Sequence, residues 1–244
     1  MKKKYLFYKL YVCSLLFLIV IVSVLHSKLS FDIQCKKYKP ENEAELREFQ
    51  LGDKVFQAYG QQEDDWRRKS VKKVFGEEWD AVCSSVLADF QNFPVKNSGK
   101  YQISYENSWM EARTYGGKRG HEGCDLMPAS SKAGMIPVCS VSDGVVEKKG
   151  WLEQGGYRLG IRSSSGAYFY YAHLYEYAKD IKVGKKVKAG EVIGTMGDSG
   201  YGKEGTTGQF PVHLHFGIYV EIQGREKSIN PYYVLKYIEN KQDS

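Results

Sequence analysis

The chain lacks the usual thiolate route to a structural metal: none of its five cysteines has C-x-x-C spacing. H-E-x-x-H is absent as well, which excludes the helix-borne zinc site of the common metalloproteases. No internal repeat or low-complexity segment occurs, which argues against a solenoid or a disordered tract. A basic face is missing too. The net charge is +6, but residues 1–40 hold eight Lys against one Asp, and the remaining 204 residues carry 27 Lys and Arg against 28 Asp and Glu. A nucleic-acid partner needs a basic stripe on the folded body, so that class is excluded.

What is present supports a packed core in one or two globular units: 244 residues, 42% hydrophobic and 14% aromatic. Four Lys in Met1–Lys9 precede Leu10–Leu25, an uncharged and mostly apolar run. No small-x-small cleavage site follows at Leu25-His26-Ser27-Lys28, and Cys13 has no lipid-attachment pattern before it. Residues 1–28 therefore read as a membrane anchor in preference to a cleaved signal. The expected location is the cell membrane, single-pass with the main domain outside, the alternative being secretion after cleavage. Lysines on both sides of the run leave its orientation open.

Residues 29–97 contain only three of the 25 glycines, Gly52, Gly60 and Gly76, and read as a helical stalk or packing region. Val71, Phe75, Trp79, Val82, Val86 and Phe90 recur every three or four residues and predict one helix face. Asn92-Phe93-Pro94 ends it. From Gly99 to Gly224 the glycines interleave with runs rich in Val, Ile and Tyr: 136–146, 157–161, 168–173, 191–196 and 212–220. These predict a mainly β, antiparallel domain over 98–236, followed by a tail at 237–244. Ser163-Ser164-Ser165-Gly166 is the expected turn of a hairpin. Cys124 and Cys139 fall in adjacent predicted strands, as a disulfide or as two buried thiols.

Four of the five histidines lie in that domain: His121, His173, His213 and His215. On an extended strand, His121 and Asp125 share a face, with Gly123 between them. His213 and His215 share a face likewise, with Leu214 and Phe216 turned to the core. Three ligands drawn from His121, Asp125 and one of these two His would leave a position open for water, as in catalytic zinc sites. Taken alone, each element has a bland reading: a polar strand face for H-x-H, a hydrogen-bonded core histidine for His173.

Together, Arg119-Gly120-His121-Glu122-Gly123-Cys124-Asp125, Tyr171-Ala172-His173-Leu174 and His213-Leu214-His215-Phe216 resemble the lysostaphin/LytM-type zinc endopeptidases. Pro137-Val138, Asp143–Val146 and Gly184–Gly194 are similar to the intervening family segments, so the likeness covers about 115–235. It implies an antiparallel β fold, the duplicated hybrid motif, and one Zn2+ held by His121, Asp125 and His215. His173 and His213 would handle protons, and the substrate would be the stem or cross-bridge peptides of bacterial peptidoglycan. Tyr115 stands near a family tyrosine that stabilises the oxyanion. Arg119 is either a substrate contact or a solvated side chain, and Tyr201–Phe210 is read as a groove wall. The stretch from Leu126 to Ile136 is longer than in compact members, which implies a different groove edge. The alternatives from other classes are a membrane-held, non-enzymatic scaffold or activator of other cell-wall hydrolases, and a module whose metal only braces the fold. A third alternative is an active domain held latent by residues 29–96 or by a side chain in the open coordination site, and a regulatory cell-envelope protein is a candidate partner.

Overall fold

The computed structural model describes residues 77–96, 98–130 and 132–242. The anchor expected at 1–28 and most of the helical segment expected at 29–97, including Val71 and Phe75, lie outside these. Among the described residues no helix is long and apolar enough to cross a membrane.

Helix α1 (Glu77–Asp89) and the short α2 (Ser98–Tyr101) precede twelve strands, and α3 (Pro231–Gln242) follows them. The strands are β1 (Ile103–Ser104), β2 (Ala112–Arg113), β3 (Arg119–Gly120), β4 (Cys124–Pro128), β5 (Pro137–Cys139) and β6 (Gly144–Leu152). After them come β7 (Gly156–Arg162), β8 (Tyr168–Tyr177), β9 (Lys186–Val187), β10 (Val192–Met196), β11 (Leu214–Ile222) and β12 (Arg225–Ile229). The main sheet runs β1-β4-β11-β8-β7-β6-β9, with β12 on β11 and β10 bridging β5 and β8. All its pairings are antiparallel, as the short Gly-punctuated runs predict.

Alternation along the two central strands makes the sheet two-faced. In β11, Leu214, Phe216 and Ile218 are fully buried, while His215 and Tyr219 point to the other side. In β8, Phe169 and Tyr171 enter the core, and Tyr168 and Tyr170 line the opposite face. The buried face is closed by α1 and α3. Phe90, just beyond α1, packs edge-on against Phe169 and Phe216 at centroid distances of 5.9 and 5.8 Å. Such pairs add roughly 0.5–1.5 kcal/mol each beyond area burial. Trp79, Cys83 and Val86 of α1 join the same core, as do Val234, Leu235 and Ile238 of α3.

The β7–β8 hairpin forms where expected: Ser163 N–H donates to Ala167 O at 2.9 Å, and Gly166 takes φ +96°. The run 136–146 is instead two strands. Between them, Val141 O accepts from the amides of Gln91 and Asn92 at 2.8 and 3.2 Å, and Ser140 N–H donates to Glu191 O at 2.9 Å. Side-chain composition alone cannot show that the backbone has changed partners at Ser140 and Val141. Cys124 and Cys139 are free, buried thiols. Strand β4 pairs with β1 and β11, β5 with β10, and Cys124 Sγ donates to Glu106 O at 3.2 Å.

A β-bulge interrupts β8 opposite β7. Tyr157 pairs with Leu174 and Leu159 with Tyr171, so two residues of β8 face Arg158 alone. His173 is one of them, at φ +61°. A non-glycine residue in the left-handed region marks strain of about 1–3 kcal/mol, and bulges re-aim side chains. Here the bulge turns His173 out of the strand's alternation and into the groove.

Candidate metal centre and its groove

The functional face carries a cleft of about 740 Å3. At its floor His215 of β11 lies directly opposite Asp125 of β4 in the sheet register. His121 Nε2 stands 3.0 Å from Asp125 Oδ1 and 2.8 Å from His215 Nδ1, and His215 Nδ1 is 3.1 Å from the same oxygen. Two imidazole nitrogens and a carboxylate oxygen, gathered this closely, form a group able to hold a metal ion.

The three residues meet by a route different from the one strand alternation suggests. Strand β4 begins only at Cys124, so His121 is not on an extended strand with Asp125. Its backbone is anchored instead to the 108–111 segment: His121 N–H donates to Glu111 O at 2.9 Å, and Met110 N–H donates to His121 O at 2.6 Å. Gly123 then leaves room for an imidazole rather than for an ion. A Cβ there would lie 2.5 Å from His215 Cε1 and 2.7 Å from Phe216 O.

Backbone carbonyls fix three of the four rings. A carbonyl oxygen only accepts, so the Nδ1 bonded to it carries the hydrogen and Nε2 presents its lone pair. His121 Nδ1 donates to Ser108 O at 2.9 Å, His173 Nδ1 to Ser199 O at 2.8 Å, and His213 Nδ1 to Pro211 O at 2.8 Å. This is the tautomer-setting outer contact that metal-binding and proton-handling imidazoles require. His213 Nε2 lies 3.8 Å from Asp125 Oδ1, and the rings of His173 and His213 are 4.7 Å apart.

Burial raises the Asp125 pKa, but hydrogen bonds and charge from His121 and His215 outweigh it and hold the carboxyl well below its usual range. Arg113 Nη2 donates to Asp125 Oδ2 at 3.0 Å, leaving Oδ1 to the two imidazoles. Burial, partly offset by Asp125, holds His215 down at about 4. Burial and then the charges of His213 and His215 push His173 well below 6.5.

Tyr115 stands one layer away from this cluster. Its ring stacks on Tyr201 at 4.1 Å and its hydroxyl donates to Glu153 Oε1 at 3.1 Å. Tyr201 and Phe210, the ends of the Gly-rich loop, do line the cleft, and the Phe210 ring sits 4.6 Å from His173. Arg119 lines it as well. Arg113 carries no signal in the sequence, since nothing in its spacing announces the contact with Asp125. The same holds for the carbonyls of Ser108, Ser199 and Pro211, because any residue type supplies one.

A His/Asp/His cluster in an open groove, flanked by two further imidazoles on an antiparallel sheet, defines the class of β-sheet metallohydrolases. The comparisons agree. The model of peptidase family M23 matches residues 119–231. A solved LytM structure from Ruminococcus gnavus is 47% identical, with 72% of this chain and 73% of that one covered, and superposes with a TM-score of 0.63. The L-Ala–D-Glu endopeptidase of Bacillus subtilis is 48% identical over 140 residues, 57% of this chain and 41% of its own. The glycyl-glycine endopeptidase ALE-1 of Staphylococcus capitis is 37% identical over 82 residues, 33% of this chain and 20% of its own. The chain belongs to peptidase family M23, the lysostaphin/LytM type. It spans less than half the length of these two curated relatives.

Proposed function

We propose that the chain is a zinc-dependent endopeptidase that hydrolyses peptide bonds in the stem or cross-bridge peptides of bacterial peptidoglycan. The observation that carries this reading is the convergence of His121, Asp125 and His215 on one point of the groove floor. The donor set fits zinc, which takes imidazole nitrogen and carboxylate oxygen and, in catalytic sites, three protein ligands. His121 Nε2 and Asp125 Oδ1 supply two of the donors and His215 Nδ1 the third. Bound there, zinc would acidify water to a pKa of about 7 and polarise the scissile carbonyl.

The remaining chemistry belongs to this chain's own side chains. His173 is held neutral by burial, so at neutral pH its Nε2 can accept a proton and return it to the leaving amine. Its ring is fixed by Ser199 O behind and Phe210 alongside. His213, tied to Pro211 O, presents the second Nε2 and shares that duty. Arg113 keeps Asp125 charged and oriented. Tyr115 would act through Tyr201, on which it stacks.

The rest of the reading is architectural. Residues 1–28 would hold the protein at the membrane with the groove outside, through the Lys-rich start and the apolar run 10–25. Residues 29–97 would connect anchor and peptidase, with Trp79–Phe90 packed into the peptidase core, and 98–236 would carry the site. The relative from Bacillus subtilis makes an L-Ala–D-Glu bond the first candidate for cleavage.

The test is mass spectrometry of muropeptides released from purified peptidoglycan by the zinc-loaded protein, beside a metal-stripped control. New peptide termini with zinc alone are expected, and none should appear with His173→Ala. Release of nothing by the zinc-loaded protein would leave the scaffold reading in place.

A further inference from the structure

Two cationic side chains in the cleft each hold a buried nitrogen with no hydrogen-bond partner among the described residues. Arg119 of β3 and Arg158 of β7 both line it, and buried Nε of Arg119 and Nη1 of Arg158 make no hydrogen bond. Among the described residues neither arginine forms an ion pair. The carboxylates nearby are already engaged. Glu147 takes two bonds from Arg162, at 2.6 and 3.0 Å, and Glu226 a third at 3.4 Å. Glu122 accepts from the Tyr219 hydroxyl at 3.1 Å.

Tyr170 lines the same cleft beside the metal centre. Its ring lies edge-on to His215 at 5.9 Å. Burial pushes its phenol up, while the charges of Arg158 and of Arg119 both pull against that shift, so both guanidinium groups bear on this one residue. Three glycines keep the floor around it low. A Cβ at Gly155 would strike the Tyr170 hydroxyl at 2.4 Å, and one at Gly160 would strike the Tyr168 hydroxyl. Gly217 pairs with Tyr170 in the register and adds no side chain of its own. Both guanidinium groups thus line one cleft with His215, Arg158 from β7, two strands from β11 across β8, and Arg119 from β3 of the small β2–β3 sheet.

A buried guanidinium hydrogen without an acceptor costs stability. Its planar fork matches a carboxylate with two parallel bonds. We propose that Arg119 and Arg158 form a carboxylate-binding subsite, selecting peptides with a free carboxylate beside the scissile bond over the same peptides carrying a carboxamide. The peptide nature of the ligand rests on the peptidase reading above; the anion preference rests on the two arginines.

Binding to metal-stripped, full-length protein in detergent tests this without turnover. The probes are the tripeptide L-Ala-γ-D-Glu-L-Lys with a free α-carboxylate on the glutamyl residue, and its α-carboxamide counterpart. The carboxylate form is expected to bind about tenfold more tightly to the unaltered protein. Arg119→Gln and Arg158→Gln should each shrink that ratio and together bring it to about one, with binding of the carboxamide unchanged. Thermal melting of the variants checks folding, and the comparison of the two peptides on the unaltered protein needs no variant. Equal affinities for the two peptides, or a preference that survives in the double variant, overturns the subsite. Discrimination without cleavage once zinc is restored keeps the subsite and removes the peptidase reading instead.

Discussion

His173 and Ser199 are joined by a 2.8 Å bond from Nδ1 to the backbone carbonyl, and the Ser199 side chain is itself fully committed. Its hydroxyl donates to Leu174 O at 2.7 Å and accepts from Tyr157 N–H at 3.0 Å. The residue that aims the imidazole is thereby clamped to both strands flanking the bulge. Ser199→Ala removes the acceptor of the Tyr157 amide, and a group left unsatisfied in that way costs about 1–3 kcal/mol. A lower melting temperature is expected, with kcat reduced more than KM, because the carbonyl to His173 remains but its support loosens. Unchanged kcat in the folded variant would count against this positioning role.

The five site residues separate into two groups by metal content. His121→Ala, Asp125→Ala and His215→Ala should each lose bound zinc when measured by elemental analysis after dialysis. His173→Ala should retain one zinc per chain yet lose about 10²–10⁴-fold in rate, the usual worth of a proton-transfer group. His213→Ala should follow His173→Ala. A metal that merely braces the fold would leave both of these variants active.

Gly123→Ala is expected to act on the metal without touching any ligand. Its Cβ would overlap the His215 ring and the Phe216 carbonyl, and neither can retreat from the sheet. Zinc affinity should fall at least about tenfold, the scale on which outer contacts of a site act. Gly99→Ala, with nothing within 4 Å of the new Cβ, is the matched control and should bind zinc normally. Equal affinity in the two variants would refute the steric argument.

The three described cysteines make a statement about pH. Burial raises Cys83, Cys124 and Cys139 above the ordinary thiol value of 9.0, with Asp80 and Asp125 reinforcing the first two. Thiolate is the reactive form, so native protein should resist iodoacetamide at pH 8 at these positions and react fully once denatured. Linkage gives the sign for stability. Above about pH 9 the unfolded thiols lose protons that the folded ones keep, so stability falls as pH rises through the alkaline range. Chemical denaturation at pH 7.5 and 9.5 checks it, and peptide mapping after alkylation locates any labelled residue.

Much of the fold was legible because period-two patterns survive wherever one face is buried. Phe169, Tyr171, Leu214 and Phe216 announce their strands, and Ser163–Gly166 its turn. The boundaries inside 136–146 were not legible, since Ser140 and Ser142 are buried and Val141 keeps the apolar alternation while its carbonyl serves the end of α1. The site residues His121, Asp125, His173, His213 and His215 could be read from their blocks of sequence. Their arrangement could not, because His121 is held by loop backbone and His173 by a left-handed bulge residue. Arg113 escaped notice because its long-range contact with Asp125 leaves no local spacing.

Phe90 has a practical consequence. Its ring fills the space between Phe169 and Phe216, so a chain trimmed to start at residue 98 would carry a solvent-filled hollow behind the catalytic sheet. Losing a buried aromatic of that size costs roughly 3–5 kcal/mol, comparable with the whole margin of many domains. The smallest autonomous enzyme should therefore begin upstream of Trp79, and inactivity in a shorter piece would report a collapsed scaffold rather than a missing catalyst.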